Sequence, residues 1–379
     1  MTSSHLPLHS SNLTTFTSNF TSDVVEWNPR QKDHCILATY QLQKETGSRV
    51  GSLEGFKIVG GDEKDCHSSS EKSSLGEQRN IESSDTESKL SLSRTHTTDV
   101  DFGIFDVKFS FHQDLLVAAG SGKTVLYDVS SPSATPKALS EHFVENEQIM
   151  CCSADWNNRL DKSLQPHIFV STSKGELIDL QLTSDRGLEE VNTWQGHDYE
   201  AWIVASNYFN PNVLYSGGDD MKLKGWDLRA LEMGSIFSLS THEAGVCCIH
   251  KHPSQEHTLV TGSYDNYIYL WDTRSMRRPV NSVFTDGGVW RLKWHPTDPK
   301  YLLSACMRAF FQVYSVDNDQ FELMSMAELE DGENLAYGCD WCYAEDSLTD
   351  FHFASCSFYN REMQWWHVKS NDTISAENE

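Results

Sequence analysis

The chain has 379 residues, with 30 Lys and Arg against 55 Asp and Glu, for a formal net charge of −25. A surface so acidic repels phosphate backbones and anionic headgroups, which argues against nucleic acid and membrane as partners and for a cationic one. No apolar run approaches the roughly 20 residues of a membrane span, and the opening MTSSHLPLHSSNLTTFTSNF lacks a basic segment followed by an apolar one, so a soluble, cytoplasmic protein is expected.

Residues 1–20 hold the β-prone run LTTFTSNF and leave open whether they donate a closing strand to the far end of the chain. Paired strand-like stretches follow: SDVVEWNP (22–29) with CILATYQL, FGIFDVKFS (102–110) with DLLVAAGSGKTVLYDV, and QIMCCSADW (148–156) with HIFVSTSKGELIDLQL. Between the first and second pair, from about residue 60 to 98, the chain is rich in Ser, Glu, Asp and Lys and nearly free of aromatics. That stretch cannot bury enough apolar surface to offset its ordering entropy, and a disordered insertion at the boundary of the first two units is expected.

Further along, YSGGDDMKLKGWDLR (215–229) and VTGSYDNYIYLWDTR (260–274) align without gaps. Trp226 and Trp271 lie 45 residues apart, as do the upstream His197 and His242. GGVWRLKWHP (287–296) with YLLSACMRAFFQVYSV, then LAYGCDW (335–341) with FASCSFYNREMQWWHV, extend the series to seven units. A period of roughly 40–45 residues with four short strands per unit is the signature of a β-propeller. The expected fold is all-β, a single seven-bladed WD-repeat β-propeller over residues 21–379.

Most of the tempting polar residues belong to the repeat itself. His197, Ser216, Asp220 and Trp226 in one unit, and His242, Thr261, Asp265 and Trp271 in the next, fall at matching offsets. Such a buried set stabilises only when every member is satisfied, so it comes as a group and is read as structural rather than catalytic. The ten cysteines include the adjacent pairs Cys151–Cys152 and Cys247–Cys248 in apolar runs, which suits buried, reduced thiols. Cys339 and Cys342 have CxxC spacing, but residues three apart on a strand face opposite sides, so no metal site is expected. No nucleophile elbow, HExxH or phosphate-binding loop occurs, and no cofactor is implied.

What the repeat does not require falls in the loops around one mouth of the central channel. These residues are Asp198, Tyr199, Glu200 and Trp202; Gly217, Gly218 and Asp219; Tyr264; Gly287, Gly288, Trp290 and Arg291; Asn334 and Tyr337; Cys356, Phe358 and Tyr359. Four places before the end of each first strand stand Phe105, Trp202, Cys247, Trp290 and Tyr337, four of the five aromatic. They either pack between blades or form a collar at the mouth, where nearby acids would suit a quaternary ammonium.

The stretches HDYEAW, AGVCCI, GGVWRLKWHP, LAYGCDW and SCSFYN, with the two WD segments, resemble the diphthine methyl ester hydrolase family, WD-repeat enzymes of diphthamide biosynthesis. The likeness runs from about Trp27 to Trp366, broken by the Ser-rich insertion. It implies removal of the methyl ester from methylated diphthine on translation elongation factor two, a substrate that carries a trimethylammonium group.

Ester hydrolysis needs an activated water or nucleophile and donors for the oxyanion. Asp198, Glu200 and Asp219 are the candidate carboxylates, with Cys356 a lesser option as nucleophile. Tyr264, Arg291 or the Gly287–Gly288 amides are candidate oxyanion donors. Tyr199, Trp202, Trp290, Tyr337 and Phe358 are candidate substrate-binding residues, and a monomer is expected. The alternative is a non-catalytic adaptor, since WDLR (226–229) and WDTR (271–274) resemble the W-D-x-R pattern of substrate receptors of cullin-type ubiquitin ligases.

Overall fold

The computed structural model describes residues 8–60, 79–80, 90–328, 334–344 and 350–370. Seven antiparallel sheets form a ring, each built mainly of four strands that follow one another in the chain. The first strands are Thr21–Trp27, Ile104–Phe109, Cys151–Trp156, Ala201–Ser206, Val246–Lys251, Arg291–Trp294 and Ala336–Trp341. They contact one another around the ring and so line its channel. Blades four and five, the clearest repeats, occupy Ala201–Leu239 and Val246–Phe284.

Closure comes from the N-terminal strand. Leu8–Thr17 pairs antiparallel with Glu362–Ser370, from Leu8 opposite Ser370 to Thr17 opposite Glu362, and supplies the fourth strand of the seventh blade. An early and a late strand thereby share one sheet, which closes the ring among the described residues. A two-residue strand, Arg79–Asn80, pairs with Thr15 and Thr14 on its outer side.

The Ser-rich segment sits elsewhere than its composition suggests. Residues 91–98 are not part of an insertion: Ser91–Val100 is the fourth strand of blade one, paired with Arg49–Val59. An outermost strand needs little apolar surface, and here Leu92 alone is fully buried, packed in a cluster with Trp27 and Phe56. Arg94 adds an ion pair of 3.1 Å to the buried Glu54. The insertion therefore lies inside blade one, between its third and fourth strands, and residues 61–78 and 81–89 fall outside the described residues.

Each repeat network forms with all its members. Trp226 Nε1 donates to Ser216 Oγ at 2.9 Å, Ser216 Oγ meets His197 Nε2 at 2.7 Å, and His197 Nδ1 meets Asp220 Oδ1 at 2.8 Å. Thr261 replaces Ser216 in blade five, 2.9 Å from both Trp271 Nε1 and His242 Nε2, with His242 Nδ1 2.9 Å from Asp265. Burial holds His197 below its usual pKa despite the neighbouring Asp220, so it stays neutral inside the network. Cys339 and Cys342, the latter just past the end of the Ala336–Trp341 strand, are buried in separate apolar clusters.

Neighbouring first strands are stitched by buried side chains. The amides of Trp27, Ala154 and Ser206 donate to Asp340, Asp106 and Asp155 of the adjoining blade at 2.7, 3.1 and 2.8 Å. The amide of Trp294 donates to His250 Nδ1 at 2.9 Å.

Ser216→Ala should leave both the Trp226 and His197 nitrogens unpartnered and cost about 1–3 kcal/mol in urea unfolding. Ser216→Thr, which copies blade five, should cost less than half as much.

Candidate active site at the channel mouth

The site is built by a repeated irregularity. In six blades the pairing of first and second strands skips one residue: Asp23, Phe105, Cys152, Trp202, Cys247 or Tyr337. A bulge of this kind bends the strand and re-aims the extra side chain. Blade six does the equivalent with Trp290, whose amide donates to Ala305 at 2.9 Å just ahead of the strand. All seven side chains converge on one cavity of about 160 Å³ at the channel mouth, joined by Tyr40, Met150, Tyr264 and Arg291. At Gly338, beside the Tyr337 bulge, a Cβ would lie 2.8 Å from the Asp23 carbonyl and 2.6 Å from Cys356 Sγ. Only glycine lets blades seven and one approach so closely there.

The walls are a chain of aromatic rings. Trp202 and Trp290 meet edge to face at 6.0 Å, Tyr264 tilts on Trp290 at 5.7 Å, and Trp290 stacks on Tyr337 at 4.7 Å. Phe358 touches Tyr337 at 4.9 Å and Tyr40 at 5.9 Å, and Tyr40 meets Phe105 at 4.9 Å. None of the four aromatic bulge residues belongs to the apolar clusters between blades. A cup of this kind, walled by electron-rich ring faces, attracts an organic cation.

Of the described residues that line the cup, one is an acid. Asp23 is 2% exposed, and its Oδ2 lies 3.9 Å from Arg291 Nη2, beyond hydrogen-bonding reach. Burial, with a smaller push from Asp106, raises its pKa to about 8 against the pull of Arg291. Arg291 is anchored, with Nη2 donating to the Phe105 carbonyl at 3.0 Å and Nη1 3.4 Å from Asp106. Burial disfavours its charge, but Asp106 and Asp23 outweigh that and keep the guanidinium protonated. Burial also works against charge on Asp106, yet Lys108 at 2.7 Å and Arg291 hold it ionised. The two carboxylates flanking Arg291 are thus shifted in opposite directions, Asp23 up and Asp106 down.

Beneath Arg291 the channel is closed by paired charges. Lys293 lies 2.5 Å from Glu26 and 3.4 Å from Asp340, and Lys108 lies 3.7 Å from Glu26. This layer gives the cup a floor.

The carboxylates expected from the sequence lie outside the cup. Asp198 is an exposed rim residue tied to Lys222 at 3.0 Å, which holds its pKa down, and Tyr199 beside it is 64% exposed. Glu200 is half-buried and does not line the cavity, although its carbonyl accepts from the Asp219 amide. Asp219 acts one step removed: its Oδ1 accepts from Trp202 Nε1 at 3.1 Å and fixes that ring. The reason for the difference is geometric, since the loops stand on the rim while the bulged strand residues point into the channel. Cys356 is fully buried with a thiol pushed up by burial, and Gly287 and Gly288 pack against Cys306, Ala309, Met307 and Tyr264. Trp202, Tyr264, Trp290, Arg291 and Tyr337 do line the cup, with Phe358 packed on its rim. Asp23 and Tyr40 were missed. Counting four places back from Trp27, as for the other first strands, lands on Asp23.

Known proteins agree with this architecture. The WD domain, G-beta repeat family matches residues 233–272. A human protein named diphthine methyltransferase is 34% identical over 350 residues, covering 87% of this chain and 74% of its own. The mouse protein of that name is 33% identical over 355 residues, covering 87% and 69%. The chain belongs to the diphthine methyltransferase family. A chain in the crystal structure of the mitotic checkpoint complex superposes with a TM-score of 0.64 at 17% identity, over 94% of this chain and 91% of that one. That likeness concerns the propeller alone. For a family member, the specific part of the molecule is the cup.

A carboxyl raised to about 8 binds protons in the folded state that the unfolded chain, with an ordinary Asp, releases above about pH 4. Its presence therefore costs stability as pH rises through that window. Asp23→Asn should be more stable than wild type at pH 8, with a gap that widens between pH 5 and 8 by up to about 1.4 kcal/mol per unit in urea unfolding.

Proposed function

We propose that this protein hydrolyses the methyl ester of methylated diphthine on translation elongation factor two, as a cytoplasmic monomer acting in diphthamide biosynthesis. The observation that carries this reading is the aromatic cup, Phe105, Trp202, Trp290 and Tyr337 above an acid, whose ring faces suit a trimethylammonium group. Membership of the diphthine methyltransferase family supplies the substrate class. Hydrolysis fits the cavity better than methyl transfer. At about 160 Å³ the cup is smaller than the roughly 300–1,000 Å³ of sites that enclose drug-sized ligands, and water needs no bulky donor.

The rim suits a protein substrate. Tyr199, Met221, Tyr264 and Tyr359 expose large apolar groups around the mouth, beside Asp198 and Asp219. Aromatic and methionine side chains of this kind are enriched at interfaces. The adaptor reading gains no support from its arginines. Arg229 and Arg274 turn back onto Asp227 and Asp272, with hydrogen bonds of 2.6–3.0 Å and 2.5–3.1 Å. Such contacts make local turns within each blade.

Incubation with elongation factor two carrying methylated diphthine should produce a methylene-sized mass loss, and an unchanged mass refutes the reading. Trp290→Ala and Tyr337→Ala should each raise KM by roughly 2- to 30-fold, the worth of one cation–π contact, with a smaller effect on kcat.

A further inference from the structure

We propose that Asp23 is the catalytic carboxylate of this site and that the oxyanion forms against Arg291. The inference rests on the esterase reading above. Of the seven bulge positions that ring the cavity, Asp23 is the one occupied by a carboxylic acid, and it lies within the cup rather than on its rim. Its carboxylate is not pinned by Arg291, at 3.9 Å, so it is free to take a water. Arg291 is held rigidly by Phe105 and Asp106, yet its Nε is buried without a partner, so the group has donor capacity left unused. A positioned base beside a preorganised cation is what acyl hydrolysis requires.

The resting cup holds Asp23 protonated, because burial removes the water that would solvate its charge. The other groups around it do not change that state near neutral pH. Tyr40, Tyr264 and Tyr337 have phenols pushed up by burial, as have the thiols of Cys152, Cys247 and Cys356. Arg291 and Asp106 keep opposite fixed charges. A quaternary ammonium in the cup adds one positive charge in a dry site, and Asp23 loses its proton in response. Substrate binding thus generates the base.

The steps balance. The Asp23 carboxylate takes a proton from water as the water oxygen bonds to the ester carbonyl carbon, and the carbonyl electron pair moves to oxygen beside Arg291. Collapse of this intermediate breaks the bond to methoxide, which takes the proton back from Asp23 and leaves as methanol. The acid product then gives its proton to solvent.

The test uses the full chain, with Asp23→Asn and Asp23→Glu compared with wild type. On elongation factor two carrying methylated diphthine, Asp23→Asn should lower kcat by about 10²- to 10⁴-fold with KM changed only several-fold, and Asp23→Glu should recover part of the loss. Glu200→Ala, outside the cup, should keep wild-type kcat. Calorimetry with tetramethylammonium at pH 7, in buffers of different ionisation enthalpy, should show close to one proton released per site by wild type and none by Asp23→Asn. Urea unfolding of Asp23→Asn, expected to show at least wild-type stability, separates inactivity from a folding defect. Turnover by Asp23→Asn at the wild-type rate, in an active wild-type background, overturns this proposal alone. An inactive wild type overturns the esterase reading and this proposal with it. Proton release that is equal in both proteins shows that Asp23 does not answer the cation, and overturns its activation by substrate.

Discussion

An extra residue near the start of the innermost strand governs what this propeller can do. A regular strand alternates its side chains between the two faces of the blade, and both faces are taken up by packing against neighbouring blades. The bulge releases one residue from that alternation and turns it toward the channel. Repeated around the ring, with Trp290 filling the same place in blade six, it gathers seven side chains from seven distant parts of the chain into one cup. The scaffold is thus indifferent to what these residues are, while the site consists of little else. Aromatic rings occupy four of the places, thiols two and a carboxylate one, and that choice makes an aromatic cup out of one mouth of a generic fold.

The charged layer beneath follows from the same geometry. Three residues beyond the bulge the first strands again face the axis, and there Glu26, Lys108, Asp155, Lys293 and Asp340 meet. Buried ion pairs seldom add stability, because desolvation cancels much of their attraction. Their benefit here is positional. Asp106, Asp155 and Asp340 each take a backbone amide from the next blade, so they hold the ring in register as well as neutralising the lysines. Arg291 belongs to both layers, and through it the rigidity of the floor reaches the cup. Burial also raises Asp155 and Asp340 in the floor, but Asp23 is the carboxyl placed in the cup, where a ligand can relieve the conflict.

Much of this was legible from residues alone, for reasons that differ by region. Blades four and five announce themselves because His197, Ser216, Asp220 and Trp226 form one indivisible network, which must recur whole. The collar was visible as a fixed offset from the end of each first strand. Asp23 was not, since SDVVEW lacks the repeat's other marks and its acid reads as a stray polar residue in an apolar strand. Conversely, Asp198, Glu200 and Asp219 looked functional because loops usually carry function, whereas here the loops frame a site made by strands. Residues 91–98 misled for a related reason: composition reports the need for a core, and an outer strand buries only Leu92.

The chain's charge of −25 and its single cup acid act over different ranges. Charges on the surface are screened within about 8 Å at physiological salt, so the acidic exterior can hasten encounter with a basic partner but cannot tell one cation from another. Discrimination has to come from the dry cup. A lysine ammonium or a guanidinium entering the cup gives up hydrogen bonds to water that aromatic walls cannot replace, whereas a trimethylated nitrogen has no such bonds to lose. The same dryness that rejects hydrated cations is what keeps Asp23 neutral until the right one arrives. Selectivity and activation are therefore two consequences of a single desolvation, and weakening the aromatic wall should erode both together.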